Sequence, residues 1–238
     1  MKRVLILLLF ITTIQVSYSQ RMVIKNLSNY DKKFLHFGFT LGLNKMDFVV
    51  KHADEFYYNP LIYGIETIEN TGFHLGPVSN FRLGNYLDLR FLIDLSFGQR
   101  DMQYRQLNMI DSVTSDGIIT KTMQIESIFI ECPLLLKYKA KRIGNYRPYV
   151  IAGLNPRYDL SARKEIKEEE KPKIKLKSTD FYVETGIGLD YYFPYFKFST
   201  ELKYSFGMLD VLQKDNTPYT STIKKLNSRV VMLSFHFE

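Results

Sequence analysis

From Leu87 the chain alternates strictly. Leu87, Leu89, Phe91, Ile93, Leu95 and Phe97 fall on one face of an extended segment, and Asp88, Arg90, Leu92, Asp94, Ser96 and Gly98 on the other. The same period of two recurs twice. Phe181, Val183, Thr185, Ile187, Leu189 and Tyr191 oppose Tyr182, Glu184, Gly186, Gly188, Asp190 and Tyr192, and Phe196 to Phe206 alternates likewise against Lys197 to Gly207. With His36–Val49, Gly72–Phe81, Gln124–Lys139, Tyr146–Leu160 and Ser228–Phe237 the pattern predicts eight strands. Pro77 and Pro133 fall inside two of them, where the missing N–H predicts a bulge or a strand end.

The connections alternate as well. Val50–Thr71, Asp101–Lys121, Ser161–Lys177 and Leu209–Asn227 are long, whereas Arg82–Asn85, Ala140–Asn145 and Phe193–Tyr195 are short. An up-and-down barrel then carries every long loop at one end, and the tight turns and both termini at the other. That is the layout of an outer-membrane barrel with extracellular loops and periplasmic turns. The fold expected is therefore all-β: an eight-stranded antiparallel transmembrane barrel.

A soluble barrel with the charged face outside competes with this reading. Glycine decides between them: Gly38, Gly42, Gly98, Gly153, Gly186, Gly188 and Gly207 lie on the polar face, as crowding within a narrow closed cylinder favours. Composition agrees. Aromatic residues make up 15% of the chain, with 18 Phe, 17 Tyr and no Trp. They cluster at strand ends, with Tyr86, Tyr138, Tyr146, Tyr191, Phe193 and Tyr195 at the short turns and Phe48, Phe97, Tyr158 and Phe206 toward the long loops, as two interfacial belts would require. A Lys or Arg on the lipid face at mid-membrane costs roughly 2 to 4 kcal/mol, which assigns the charged face to the lumen.

The N-terminus reads as an export signal. Lys2 and Arg3 precede an apolar stretch from Val4 to Ile14, and Ser17 and Ser19 occupy the −3 and −1 positions of a cleavage site before Gln20. Residues 1–19 are thus expected to be removed, 20–34 to form a periplasmic arm, and 35–238 to form the barrel. The apolar core of the signal is too short for a stable anchor, and no later run is long enough for a spanning helix. The net charge of +7 is interleaved with acids, which argues against nucleic acid as a partner. The single cysteine, Cys132, excludes an internal disulfide and reads as a small strand residue.

On these phases Arg90, Lys137, Arg157, Lys197 and Lys203 point inward with Asp88, Asp94, Glu131, Glu184, Asp190 and Glu201. Five bases against six acids make a self-neutralising plug, because an eight-stranded lumen is filled by its own side chains. Catalytic chemistry is sparse. Ser234 and His236 share one face of the last strand, a spacing that serves a lipid esterase if a neighbour supplies an acid. The bland reading places His236 as an interfacial imidazole at the periplasmic rim, and no G-x-S-x-G elbow accompanies it. The loop acids Asp54, Glu55 and Asp101 have no metal spacing, phosphate-cradling loops are absent, and no cofactor is expected. Residues 161–177 read as a solvated external loop, with contact to anionic headgroups or a partner as the rival. The last strand carries Phe235 and Phe237 close to the C-terminus, which suits docking to barrel-assembly machinery.

Several segments in order, Lys25–Phe39, Leu95–Arg100, Pro133–Lys139, Asn145–Tyr149, Tyr192–Lys197 and Leu233–Glu238, resemble the PorT family, called SprT in gliding bacteria. The resemblance runs from about Arg21 to Glu238. It implies an outer-membrane component of the type IX secretion and gliding apparatus of Bacteroidetes, needed for export of proteins with a C-terminal sorting domain, with outer-membrane lipid and other secretion proteins as partners. It carries over no catalytic residue. A lipid-modifying barrel enzyme and a plain adhesin or membrane-stability barrel are the competing functions.

Overall fold

The computed structural model describes residues 24–58, 62–107, 118–163, 174–215 and 217–238. The expected leader lies outside them, as do residues 164–173 of the charged loop. Ten strand segments follow one another: β1 (Leu35–His52), β2 (Ile62–Arg82), β3 (Leu87–Leu92), β4 (Asp94–Leu107), β5 (Ile118–Glu131), β6 (Leu134–Lys139), β7 (Tyr146–Asp159), β8 (Thr179–Tyr192), β9 (Lys197–Gly207) and β10 (Ile223–Phe237). Every pairing is antiparallel between neighbours. β3 runs on into β4 and β5 into β6, so the ten segments make a ring of eight strands. β1 closes it against β10, from Phe39 opposite Phe237 to His52 opposite Ile223.

Both proline expectations bear on the two interruptions. Pro133 sits in the break between β5 and β6. Pro77, by contrast, lies within continuous β2, and the irregularity falls on its neighbour: Pro77 offers only its carbonyl, which accepts from Ile93 N–H at 3.3 Å, and Ile93 is the residue that separates β3 from β4. The missing proline donor therefore faces the one residue that has left the ladder.

The alternation decides which side each residue takes. Phe37, Phe39, Leu41 and Leu43 of β1 project outward, while His36, Thr40, Asn44 and Met46 are buried inside. Leu233, Leu202, Ile187, Val150 and Leu136 continue the apolar outer wall around the ring. From Leu87 to Phe97, ten residues at about 3.3 Å and a tilt of roughly 40° give a band about 25 Å tall, the height of an outer-membrane hydrocarbon layer. Two glycines stand where a side chain has no room. A Cβ on Gly42 would lie 2.2 Å from the Leu233 carbonyl oxygen, and one on Gly188 would lie 2.2 Å from the Tyr149 ring, which occupies that space.

Above the band the structure departs from the expected long loops. β1 and β2 continue to His52 and from Ile62, so much of Val50–Thr71 is strand, and β4, β5 and β10 likewise consume parts of the next loops. β7, β8 and β9 stop at Asp159, Thr179 and Gly207. Half of the wall therefore rises beyond the membrane, over seven residues from Lys45 to His52, or roughly 18 Å along the barrel axis. Its outer face bears the ion pairs Lys45–Glu69 and Arg105–Glu66. Its inner face holds an apolar cluster of Phe48, Met102, Tyr104, Met123, Ile125 and Leu226, roofed by Ile174, Leu176, Val211 and Leu212 from the connections. Phe48 thus belongs to this core and not to an interfacial belt, because its even position turns it inward. Tyr86, Tyr138, Tyr146, Phe193 and Tyr195 are exposed at the periplasmic rim.

Candidate functional site

Among the described residues chemistry concentrates in the lumen, which is built in tiers by inward positions of successive strands. At the periplasmic tier Glu201 of β9 is the hub. Arg90 Nη1 of β3 lies 2.5 Å from Glu201 Oε2, Tyr149 of β7 donates its hydroxyl to the same oxygen at 2.9 Å, and His236 Nε2 of β10 is 3.5 Å from Oε1. Asn80 of β2 fixes Arg90 by accepting from its Nε at 2.8 Å. Lys137 donates to both oxygens of Asp190 at 2.7 and 2.9 Å and stands 3.6 Å over the Tyr149 ring. Ser199 also donates to Asp190, at 2.6 Å. Lys139–Asp88 and Lys197–Glu238 complete the tier at 2.6 and 2.5 Å.

Glu184 of β8 is the hub of the middle tier. It pairs with Arg157 and Lys203 at 3.0 Å each and accepts from Asn155 at 2.8 Å and Ser205 at 2.7 Å. Arg157 also reaches Glu131 at 3.1 Å and stacks over Tyr182 at 4.0 Å. Higher still, Arg100 donates to Ser127 at 2.5 Å and Ser228 at 2.9 Å, and its guanidinium lies 4.2 Å over Phe48, just beneath the apolar roof.

All eleven charged residues expected inside are therefore buried in the lumen. Arg100, Lys139 and Arg147 join the five bases, and Asp159, Asp180 and Glu238 the six acids, so among the described residues eight cations face nine carboxylates. Apart from Glu238, the additional members lie on the inward phase of the strands. Lys139 stands two residues from Lys137, and Arg100 two from Gly98, so their sequence positions carried the signal. Glu238 did not, because it follows the last strand.

The candidate pairing of Ser234 with His236 does not occur. His236 is not an interfacial side chain either; it is 1% exposed, between Arg90 and Glu201. Residues two apart on a strand point the same way but lie far apart along it, and each meets a side chain of another strand instead, His74 of β2 reaching Ser234 across Gly42 of the intervening β1. Ser234 meets His74 Nε2 at 3.1 Å, and His74 Nδ1 lies 3.3 Å from Asp94. This Ser234–His74–Asp94 line has the connectivity of a hydrolytic triad, yet Ser234 is 1% exposed inside a filled cylinder. Its backbone neighbours are spent on the β1–β10 ladder, leaving no oxyanion donors, so the line serves as another buried polar strut. Among the described residues no group of three or more His, Cys, Asp or Glu could hold a metal ion.

The periplasmic mouth is closed by residues 24–34. A single 3₁₀ turn, Tyr30–Lys32, places Tyr30 against the His36 ring at 4.1 Å, with its hydroxyl 3.4 Å from Glu238. Burial, and then the Glu238 carboxylate, raise the Tyr30 hydroxyl far above the ordinary tyrosine range. Asp31 accepts from the Tyr192 hydroxyl at 2.8 Å and pairs with Arg147 and Arg142 at 3.2 and 3.7 Å. Asn26 donates to Asn145 and to the Tyr192 carbonyl, both at 3.0 Å. With this arm below, the ionic tiers within and the apolar roof above, the cylinder is occupied along its length.

The sequence matches the model of the outer membrane protein beta-barrel domain over residues 18–213. No curated protein matches this chain. Among solved structures, the outer membrane protein OprG from Pseudomonas aeruginosa is similar at 15% identity, covering 84% of this chain and 94% of its own, with a TM-score of 0.47. Neisserial surface protein A is similar at 12% identity, covering 86% of this chain and 98% of its own, with a TM-score of 0.43. A closed eight-stranded ring, an apolar band of membrane height and a family match over most of the sequence converge: this chain belongs to the outer membrane protein beta-barrel domain family.

Proposed function

We propose that this protein is a non-enzymatic outer-membrane barrel that works through its two faces, as an accessory or assembly component of the type IX secretion and gliding machinery. The observation that carries the reading is the occupied lumen. A cylinder filled by Arg90–Glu201, Lys137–Asp190 and Arg157–Glu184 pairs offers neither an aqueous path nor a reachable nucleophile. What remains functional is the surface beyond the membrane. The resemblance of Lys25–Phe39 and Leu233–Glu238 to the PorT family supports the choice of machinery. Both segments lie at the periplasmic end, where the arm, Glu238 and the short turns form one assembled face. In this account the chain is exported by its N-terminal signal, inserted with Phe235 and Phe237 as the assembly signal, held by outer-membrane lipid, and bound by other secretion proteins.

Deleting the gene is expected to abolish surface delivery of proteins with a C-terminal sorting domain. Normal delivery in the deletion strain, with the barrel's loss confirmed by blotting, contradicts the proposal.

A further inference from the structure

The extracellular half-wall has two vertical edges, and they are treated differently. On the β10 side the edge is covered: Leu226 accepts from Val211 N–H at 3.0 Å and donates to Asp210 at 2.9 Å, while Asn227 donates to the Gly207 carbonyl at 2.9 Å. On the β5 side, β4 pairs along the whole strand from Ile118 to Glu131, but β7 pairs only with Phe129–Glu131. The pairing ends at Ile128, whose carbonyl accepts from Leu160 N–H at 2.8 Å and whose N–H meets the Asp159 carboxylate at 3.4 Å.

Ile128 therefore turns its backbone polar groups away from β4. Successive residues of a strand alternate in this respect, so Glu126, Gln124, Thr122 and Thr120 do the same. Among the described residues none pairs with those groups. The four side chains are exposed on the outer face. Two devices that blunt a strand edge are missing here: Ile118–Glu131 contains no proline, and its register with β4 carries no bulge.

We propose that the Thr120–Glu126 edge of β5 is a strand-addition site at the cell surface, taking an extended segment of a second polypeptide. Main-chain hydrogen bonds to four alternate residues supply the affinity, as in other strand-addition complexes. The side chains beside them set the chemistry of the partner: small polar or β-branched residues against Thr120, Thr122 and Gln124, and an uncharged or basic residue next to Glu126. The inference concerns the extracellular side and does not rest on the proposed secretion role.

The test uses cells expressing the full chain with p-benzoylphenylalanine at Gln124. Irradiation is expected to yield one adduct whose cross-linked peptide belongs to another protein. Thr122→Pro removes a donor on the open edge and none from the β4 ladder, so it should preserve heat-modifiable gel mobility while reducing the adduct by about tenfold or more. A synthetic peptide of the cross-linked sequence, added to the refolded barrel, should slow amide exchange at Thr120, Thr122 and Glu126 but leave Met123 and Ile125, already bonded to β4, unchanged. That alternation is a signature no side-chain contact gives. No adduct, an adduct to lipid, to a second copy or within the same chain, or one that survives Thr122→Pro, overturns the proposal.

Discussion

Glu184 illustrates how the lumen is held. Its carboxylate is buried and engaged by Arg157, Lys203, Asn155 and Ser205, so the cost of taking it out of water is offset only by that full set of partners. Glu184→Ala leaves buried Lys203 without its acid and Arg157 with Glu131 alone, and is expected to destabilise the barrel by about 3 to 5 kcal/mol in urea unfolding from lipid vesicles. A loss under about 1 kcal/mol would mean that the pairs are hydrated and the lumen is open. Tyr30 gives a pH-dependent counterpart. The docked arm holds the Tyr30 proton where an undocked tyrosine, with its pKa of about 10, releases it, so docking is undiminished below that pH and weakens as pH rises through it. Subtilisin cleavage within residues 24–34 should accelerate above about pH 10, and Tyr30→Phe should remove that step.

The arm and the strands differ in how far the sequence disclosed them. Alternation located all eight strands because one face meets hydrocarbon and the other a packed lumen, which writes a period of two into every segment between the interfaces. It failed above the band, where the outer face meets water again: Glu66, Glu69 and Gln103 on the outside and Phe48, Met102 and Met123 within resemble a soluble half-sandwich, so those strands passed for loops. The lumen residues were legible from phase alone, but their partners were not, because pairing across the ring depends on stagger. Ser234 therefore finds His74 and not His236. The plug formed by residues 24–34 left no periodic trace, since a single 3₁₀ turn is held by individual side chains, Asp31 against Arg142, Arg147 and Tyr192 and Tyr30 against His36 and Glu238. Asp31→Ala should release this element without unfolding the barrel. Trypsin should then cut at Lys32 and Lys33 while heat-modifiable mobility is retained; resistance equal to the parent would contradict the latch.

The molecule as a whole is a membrane-height cylinder, sealed within and extended on one side, with its apolar wall outward. That orientation underlies the lumen, the half-wall and the proposed roles of both faces. The absence of tryptophan offers a direct test. Single tryptophans placed at Leu41, at Leu233 and at Lys45 report depth through quenching by lipids brominated at defined positions along the acyl chain. The account predicts strong quenching of Leu41→Trp and Leu233→Trp by bromines near mid-chain, and little quenching of Lys45→Trp at any depth. Tryptophans at positions 41 and 233 that escape every brominated lipid, yet are quenched by aqueous iodide, would contradict it.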